Sequence, residues 1–182
     1  MLIFFSLVKD IINGPAMSSS RPTTSKYTRN VLFKLMEVGA DGPSSVHAVI
    51  GVMLSIGLSA RKPKALTGCS SMILDAAQAF DASKLPLGEI SMSAPKMLSH
   101  SNATVRDVGI NIIAEICRAS SSKIPMQSVI ENMKSSQLTQ LENLLESQPT
   151  PSIPTLILRS EIGSSTPTSP EDVLAALEAS AK

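Results

Sequence analysis

The sequence predicts an all-α fold, an α-solenoid of paired helices. Three observations predict it. Apolar residues recur every three or four positions, and no run alternates with period two. Clusters of Gly, Pro and Ser cut the chain into helix-length pieces joined by short turns. Residues 61–78, "RKPKALTGCSSMILDAAQ", align with residues 101–118, "SNATVRDVGINIIAEICR", at an offset of 40. Ala65 then matches Val105, Ile73 matches Ile113, and Ala77 matches Cys117. A helix pair repeating about every 40 residues is the HEAT-type, armadillo-like pattern.

The opening "MLIFFSLVKDIINGPA" is apolar but too short to span a bilayer, and no Lys or Arg precedes its apolar run. It reads as a remnant helix whose partners lie upstream, able to cap the exposed face of the next helix. Residues 1–24 are thus expected to be a short apolar segment and a flexible loop outside the array. The helix over 25–38 is opened by Ser25 and closed by Gly39, and forms the second half of one repeat. After the turn "ADGPSS", a helix runs from 45 to 57. "SARKPK" turns the chain, and Pro63 suits the first position of a helix reaching Phe80. "DASKLP" turns it again before a helix over 85–98. "SHSNAT" leads into a helix over 104–118, where Thr104 can cap and Asp107 can complete a capping box. Asp107, Asn111, Glu115 and Arg118 read as its polar face, and Asp75 and Glu115 as surface residues at equivalent repeat positions. Two short helices follow, 126–133 and 136–147, then the Pro-rich "SQPTPSIPT". A last amphipathic piece, "SPEDVLAALEASA" (169–181), begins with Ser169, Pro170, Glu171 and Asp172. The expected division is 1–24, a partial repeat domain over 25–158, and a tail over 159–182.

Composition narrows the function. The chain has 182 residues, 43% hydrophobic and 17% charged, enough for one domain with a core. Its formal net charge is +1, and aromatic residues make up 3% with no Trp. Neither bulk charge nor stacking side chains point to a nucleic-acid partner. Cys69 and Cys117 fall on apolar or small-residue helix faces, as buried reduced thiols do. With His47 and His100 they make no metal-ligand spacing. A Gly-rich phosphate loop and a nucleophile elbow are both missing, so no enzyme, cofactor or small-molecule substrate is expected.

A solenoid has two edges. Turns inside each helix pair hold Arg61, Lys62 and Lys64, then His100 and Arg106, then Lys134. Turns between pairs hold Asp41, then Asp81 and Lys84, then Lys123. The first edge is basic and the second mixed. A row of cations suits an acidic protein surface, although solvated turns also collect charge without any partner. Arg106 is the odd member. It sits in the first turn of its helix, where the dipole disfavours a cation by about 0.3–1 kcal/mol. Two readings of it stand: an outward-presented contact, or a bridge to the neighbouring repeat.

Four pieces carry a likeness in order and spacing: "ARKPKAL" (60–66), "NATVRD" (102–107), "AEICR" (114–118) and "SSQLTQLENLLES" (135–147), followed by the exit "PTPSIPTLILRSE" (149–161). Together they resemble the C-terminal part of a TOG domain, the tubulin-binding HEAT array of ch-TOG-type microtubule polymerases. The likeness covers residues 25–161, with Ala60 in place of a turn Asn and Leu156 in place of an exit Arg. It implies αβ-tubulin or microtubules as partner and a role in microtubule polymerisation or spindle organisation. It also implies a cytoplasmic, cytoskeletal location at microtubules, spindle pole or centrosome. The inside-pair edge would be the binding edge, through Arg61, Lys62, Lys64 and Arg106; Lys134 lies in the third turn without a matching family contact. The family's first repeats and their tubulin-contacting Trp have no counterpart here, which is the expectation for a truncated or diverged domain. A generic HEAT or armadillo scaffold that has lost tubulin binding is the alternative. A secreted or membrane-anchored protein rests on residues 2–8 alone.

Overall fold

Apolar stripes spaced three and four residues apart turn the described residues into eight α-helices and no strand. The computed structural model describes residues 2–37, 45–59 and 63–156. The helices are α1 (Leu2–Asn13), α2 (Pro22–Glu37), α3 (Ser45–Ser55), α4 (Pro63–Ala79), α5 (Leu87–Leu98), α6 (Ala103–Ala119), α7 (Gln127–Ile130) and α8 (Ser135–Ser147). Pairs α3/α4, α5/α6 and α7/α8 stack as a HEAT-type solenoid. The second helices α2, α4, α6 and α8 form one layer.

Hydrogen bonds fix the directions of that layer. Gln140 Nε2 donates to Asp107 Oδ1 (3.4 Å) near the starts of α8 and α6, and Arg118 Nη2 donates to Leu144 O (2.7 Å) near their ends. The two helices are therefore parallel. Arg29 Nη2 meets Asp75 Oδ1 at 2.9 Å, and further along Phe33 meets Phe80 edge-on at 6.0 Å. So α2 runs parallel to α4, as the second helix of a preceding pair does. In the first-helix layer, Lys96 Nζ of α5 donates to Ser59 Oγ just past α3, at 3.0 Å. His47 Nε2, near the start of α3, donates to Lys84 O at 2.7 Å.

Pro22, not Ser25, opens α2, because a proline at the first helical position loses no intrahelical bond. α6 is capped by Asn102, whose side chain accepts from Thr104 N at 2.9 Å; the Thr104–Asp107 capping box does not form. Asn is at least as good a cap as Thr, and the helix starts one residue earlier. The segment expected as a helix over 126–133 is a 3-10 turn (Ile124–Met126) followed by the four residues of α7. The expected amphipathic piece at 169–181 lies outside the described residues. α1 also departs from expectation: it buries Val8 and Ile12, one turn apart, against α3 and α4, not over α2.

The largest departure is on α6. Glu115 and Arg118, expected on a polar face, are only 1% and 7% exposed. Arg118 Nη1 pairs with Glu115 Oε2 at 2.9 Å. Arg118 Nε and Nη2 reach Gln148 O (2.6 Å) and Leu144 O (2.7 Å), and Glu115 Oε1 accepts from Ser152 N at 2.6 Å. Thr155 N and Leu156 N then donate to Ala79 O, on the last residue of α4, at 3.0 and 2.9 Å. Residues 148–156 are thus a strap laid across the C-terminal ends of α8, α6 and α4 in turn. Asp75, also read as a surface residue, is half-buried against Arg29. Burial raises its carboxyl pKa, and the Arg29 charge opposes that rise.

Arg118→Ala leaves Glu115 buried without its countercharge and should cost about 3–5 kcal/mol in urea denaturation. The double change Glu115→Leu, Arg118→Leu should cost clearly less, because no orphaned charge remains. Cys69 provides a second check. Burial pushes its thiol up to about 12, and a Cβ on Gly57 would stand 2.6 Å from its Sγ. Alkylation of Cys69 at pH 8.5 should therefore be at least ~10²-fold slower in the native chain than in urea. Gly57→Ala should destabilise by roughly 1–3 kcal/mol, since neither neighbour can yield cheaply.

Candidate functional site

Because α4, α6 and α8 run parallel, their N-terminal ends line one edge, and the turns inside the helix pairs lie along it. Lys64 stands exposed in the first turn of α4. Arg106 occupies the first turn of α6, and Lys134 immediately precedes α8, where its backbone N–H donates to Gln137 Oε1 at 3.2 Å. Neither Lys64 nor Lys134 has an ion-pair partner among the described residues. Arg61 and Lys62, the other two cations expected on this edge, lie outside the described residues. The fold brings the described three to one edge, on three successive second helices.

Arg106 is not a simple outward contact. Its Nη1 donates to His100 O at 2.7 Å and Ser101 O at 2.8 Å. Those carbonyls follow the end of α5, where the helix dipole is negative and the last carbonyls lack intrahelical partners. The arginine at the wrong end of α6 is therefore at the right end of α5. It ties the α5–α6 turn, together with Asn102 N, which donates to His100 Nδ1 at 3.0 Å. The residue remains half-exposed.

The structure adds Lys96, which sequence reasoning left out. It lies in the last turn of α5, exposed, with its ammonium on Ser59 Oγ. The signal was present: a cation in the last turn of a first helix falls on the same edge as one in the first turn of a second helix. Among the described residues two acids share the edge: Asp107, held by Gln140, and Glu131 at the end of α7, held by Gln127.

The opposite edge differs in kind. Asp81 accepts from Ser83 N at 2.9 Å and caps a 3-10 turn. The Lys84 carbonyl takes His47, and the strap covers the ends of α4 and α6. Its backbone groups are committed to the fold; on the basic edge Arg106 likewise ties the α5–α6 turn, while the Lys64 and Lys134 ammonium groups have no ion-pair partner among the described residues. Among the described residues, no three His, Cys, Asp or Glu side chains are grouped to hold a metal ion, and no helix is long and apolar enough to cross a membrane.

Arg106→Ala should cost roughly 1–3 kcal/mol in urea denaturation, through two lost charge-assisted bonds to turn carbonyls. Lys64→Ala should fall within about 0.5 kcal/mol of wild type. Equal effects of the two changes would show that the Arg106 bonds do not hold the turn in solution.

The family model for the XMAP215/Dis1/CLASP TOG domain matches residues 5–145. No curated protein matches the chain in sequence. Among solved structures, the chain is similar to one from work on tubulin recruitment and assembly by microtubule polymerases with Tumor Overexpressed Gene (TOG) domain arrays. The TM-score is 0.70 at 19% identity, over 88% of this chain and 34% of that one. The chain thus spans about a third of the length of that relative. At this identity the likeness speaks to the fold, while the family match over most of the chain speaks to descent. With its paired helices, its parallel second-helix layer and a family match running from α1 into α8, the chain belongs to the XMAP215/Dis1/CLASP TOG domain family.

Proposed function

We propose that this chain is a tubulin-binding TOG module that acts in microtubule polymerisation and spindle organisation, at the cytoskeleton. Its inside-pair edge, with Lys64, Arg106 and Lys134 and the neighbouring Arg61 and Lys62, is the face we assign to αβ-tubulin. The observation that carries the reading is the row of cations at the starts of three successive second helices, Lys64 and Lys134 without an ion-pair partner among the described residues, in a chain whose net charge is only +1. The solved relative is described by its recruitment of tubulin, and tubulin reaches this chain through that likeness and through the family. The residues give no reason to read it as an enzyme, and its chemistry is that of a binding surface.

A second reading has its own support. Arg106 commits part of its guanidinium to the α5–α6 turn, and the chain holds no Trp. Both features favour a HEAT scaffold with little affinity for tubulin. Gel filtration with soluble αβ-tubulin, beside co-sedimentation with microtubules, separates the two. On the tubulin reading, complex forms at low ionic strength and weakens with salt, as an edge of exposed cations requires. The double change Lys64→Glu, Lys134→Glu should weaken it at least ~tenfold, by about 1.4 kcal/mol, with an unchanged melting curve. No complex with wild-type chain at low salt would leave the scaffold reading.

A further inference from the structure

The basic edge holds a cleft that its cations do not fill. It lies between the end of α5 and the chain that links α7 to α8. α5 has twelve residues, whereas α7, its counterpart in the next pair, has four. Past α7 the chain runs on through Glu131–Lys134 as an irregular turn, and one side of the last turn of α5 stays open. The cleft measures about 260 Å³. A cavity of about 150 Å³ already holds a benzene ring, so this one has room for one large side chain.

Its lining is mostly apolar. Leu98 and Val129, 6% and 3% exposed, lie behind it, and Pro95 stands exposed at its side. The neutral donors that reach it already bond the fold. Gln137 Nε2 donates to Leu98 O at 2.8 Å, Ser99 Oγ to Pro95 O at 2.8 Å, and Asn132 Nδ2 to Ser128 O at 2.8 Å. Lys134 is different. It is the one charged residue among those lining the cleft, it is exposed, and its ammonium has no ion-pair partner among the described residues. Glu131, three residues before it, is held by Gln127 Nε2 at 2.8 Å and does not line the cleft.

We propose that this cleft is the anchor pocket of the edge: it takes one large apolar side chain of αβ-tubulin, beside a carboxylate that Lys134 pairs. The inference rests on the tubulin reading of the edge and adds the chemistry of the contact. An apolar hole with a single cation at its rim matches an apolar residue next to an acid. A nucleic-acid backbone would need several cations around the opening. The same edge of a second copy fits poorly, because its acids, Asp107 and Glu131, are already held by Gln140 and Gln127. Binding energy concentrates where a large side chain fills a desolvated pocket, while exposed cations govern encounter and salt dependence. Lys64, Arg106 and Lys134 therefore orient the partner, and the cleft gives the apolar contact that a row of cations lacks.

The test blocks the cleft from its rim. Asn132 is exposed, so Asn132→Trp covers the opening without entering the core. Affinity of the full chain for soluble αβ-tubulin is measured over a range of salt for wild type, Asn132→Trp, Lys64→Glu and Asn143→Trp. The last places the same bulk on exposed α8, away from the cleft. Anchoring predicts that Asn132→Trp weakens binding at least ~tenfold, with the melting curve and salt slope of wild type. Lys64→Glu weakens it with a shallower slope, and Asn143→Trp binds as wild type does. Undiminished binding by Asn132→Trp, with Lys64→Glu weakened, overturns the anchor and leaves the tubulin reading of the edge standing. No binding by wild type at low salt removes both. Self-association of wild type that Asn132→Trp abolishes gives the cleft to a second copy and also overturns the proposal. If Asn132→Trp fails to fold, Ser99→Trp covers the cleft from the α5 side, and the same outcomes decide.

Discussion

The buried pair of Glu115 and Arg118 sets the terms for much of this fold. Two charges taken out of water at the end of α6 are stable only when every donor and acceptor finds a partner. Arg118 finds Glu115 and the carbonyls of Leu144 and Gln148; Glu115 also takes the amide of Ser152. These partners lie on the next helix and on the strap beyond it. The pair therefore dictates where α8 ends and where the chain goes afterwards. It also makes the two edges of the solenoid unequal. The edge formed by helix C-terminal ends is sealed by strap amides bonding orphan carbonyls such as Ala79 O. The edge formed by the turns inside the pairs is left for solvent or a partner.

Much of this was legible from the residues. Apolar spacing and breakers placed every long helix of the array to within a few residues, because those signals are local. The offset of 40 between residues 61 and 101 was enough to see paired repeats. What escaped depends on neighbours. Glu115 and Arg118 read as a polar face, since nothing in a single helix tells a solvated ion pair from one covered by a strap 30 residues further on. The weak helix at 126–133 was overestimated for a related reason: Pro125 and the turn around it shorten the regular segment to α7. α1 was expected against α2, yet Val8 and Ile12 fit the groove of α3 and α4, where Gly57 leaves room beside Cys69.

The basic edge was legible as a row, but not in its energetics. The sequence places Lys64, Arg106 and Lys134 at equivalent points, and the fold brings these three to one side. What the residues alone could not show is how close the end of α5 comes to the Arg106 guanidinium, which bonds the carbonyls of His100 and Ser101.

That juxtaposition resolves the charge problem at the start of α6. A solenoid edge built from inside-pair turns alternates the negative end of a first helix with the positive start of a second. A cation one turn into the second helix is repelled by its own helix and attracted by the one before it, so its net placement cost is small. Arg106 uses this geometry fully, with a guanidinium long enough to reach back to His100 O and Ser101 O. Lys96 arrives from the other direction, in the last turn of α5, where a cation is favoured outright. A basic edge can thus accumulate on this fold with little loss of stability, which is a property of the repeat architecture itself. The sign of that edge is free to be set by a partner, while the opposite edge, committed to the strap, is not.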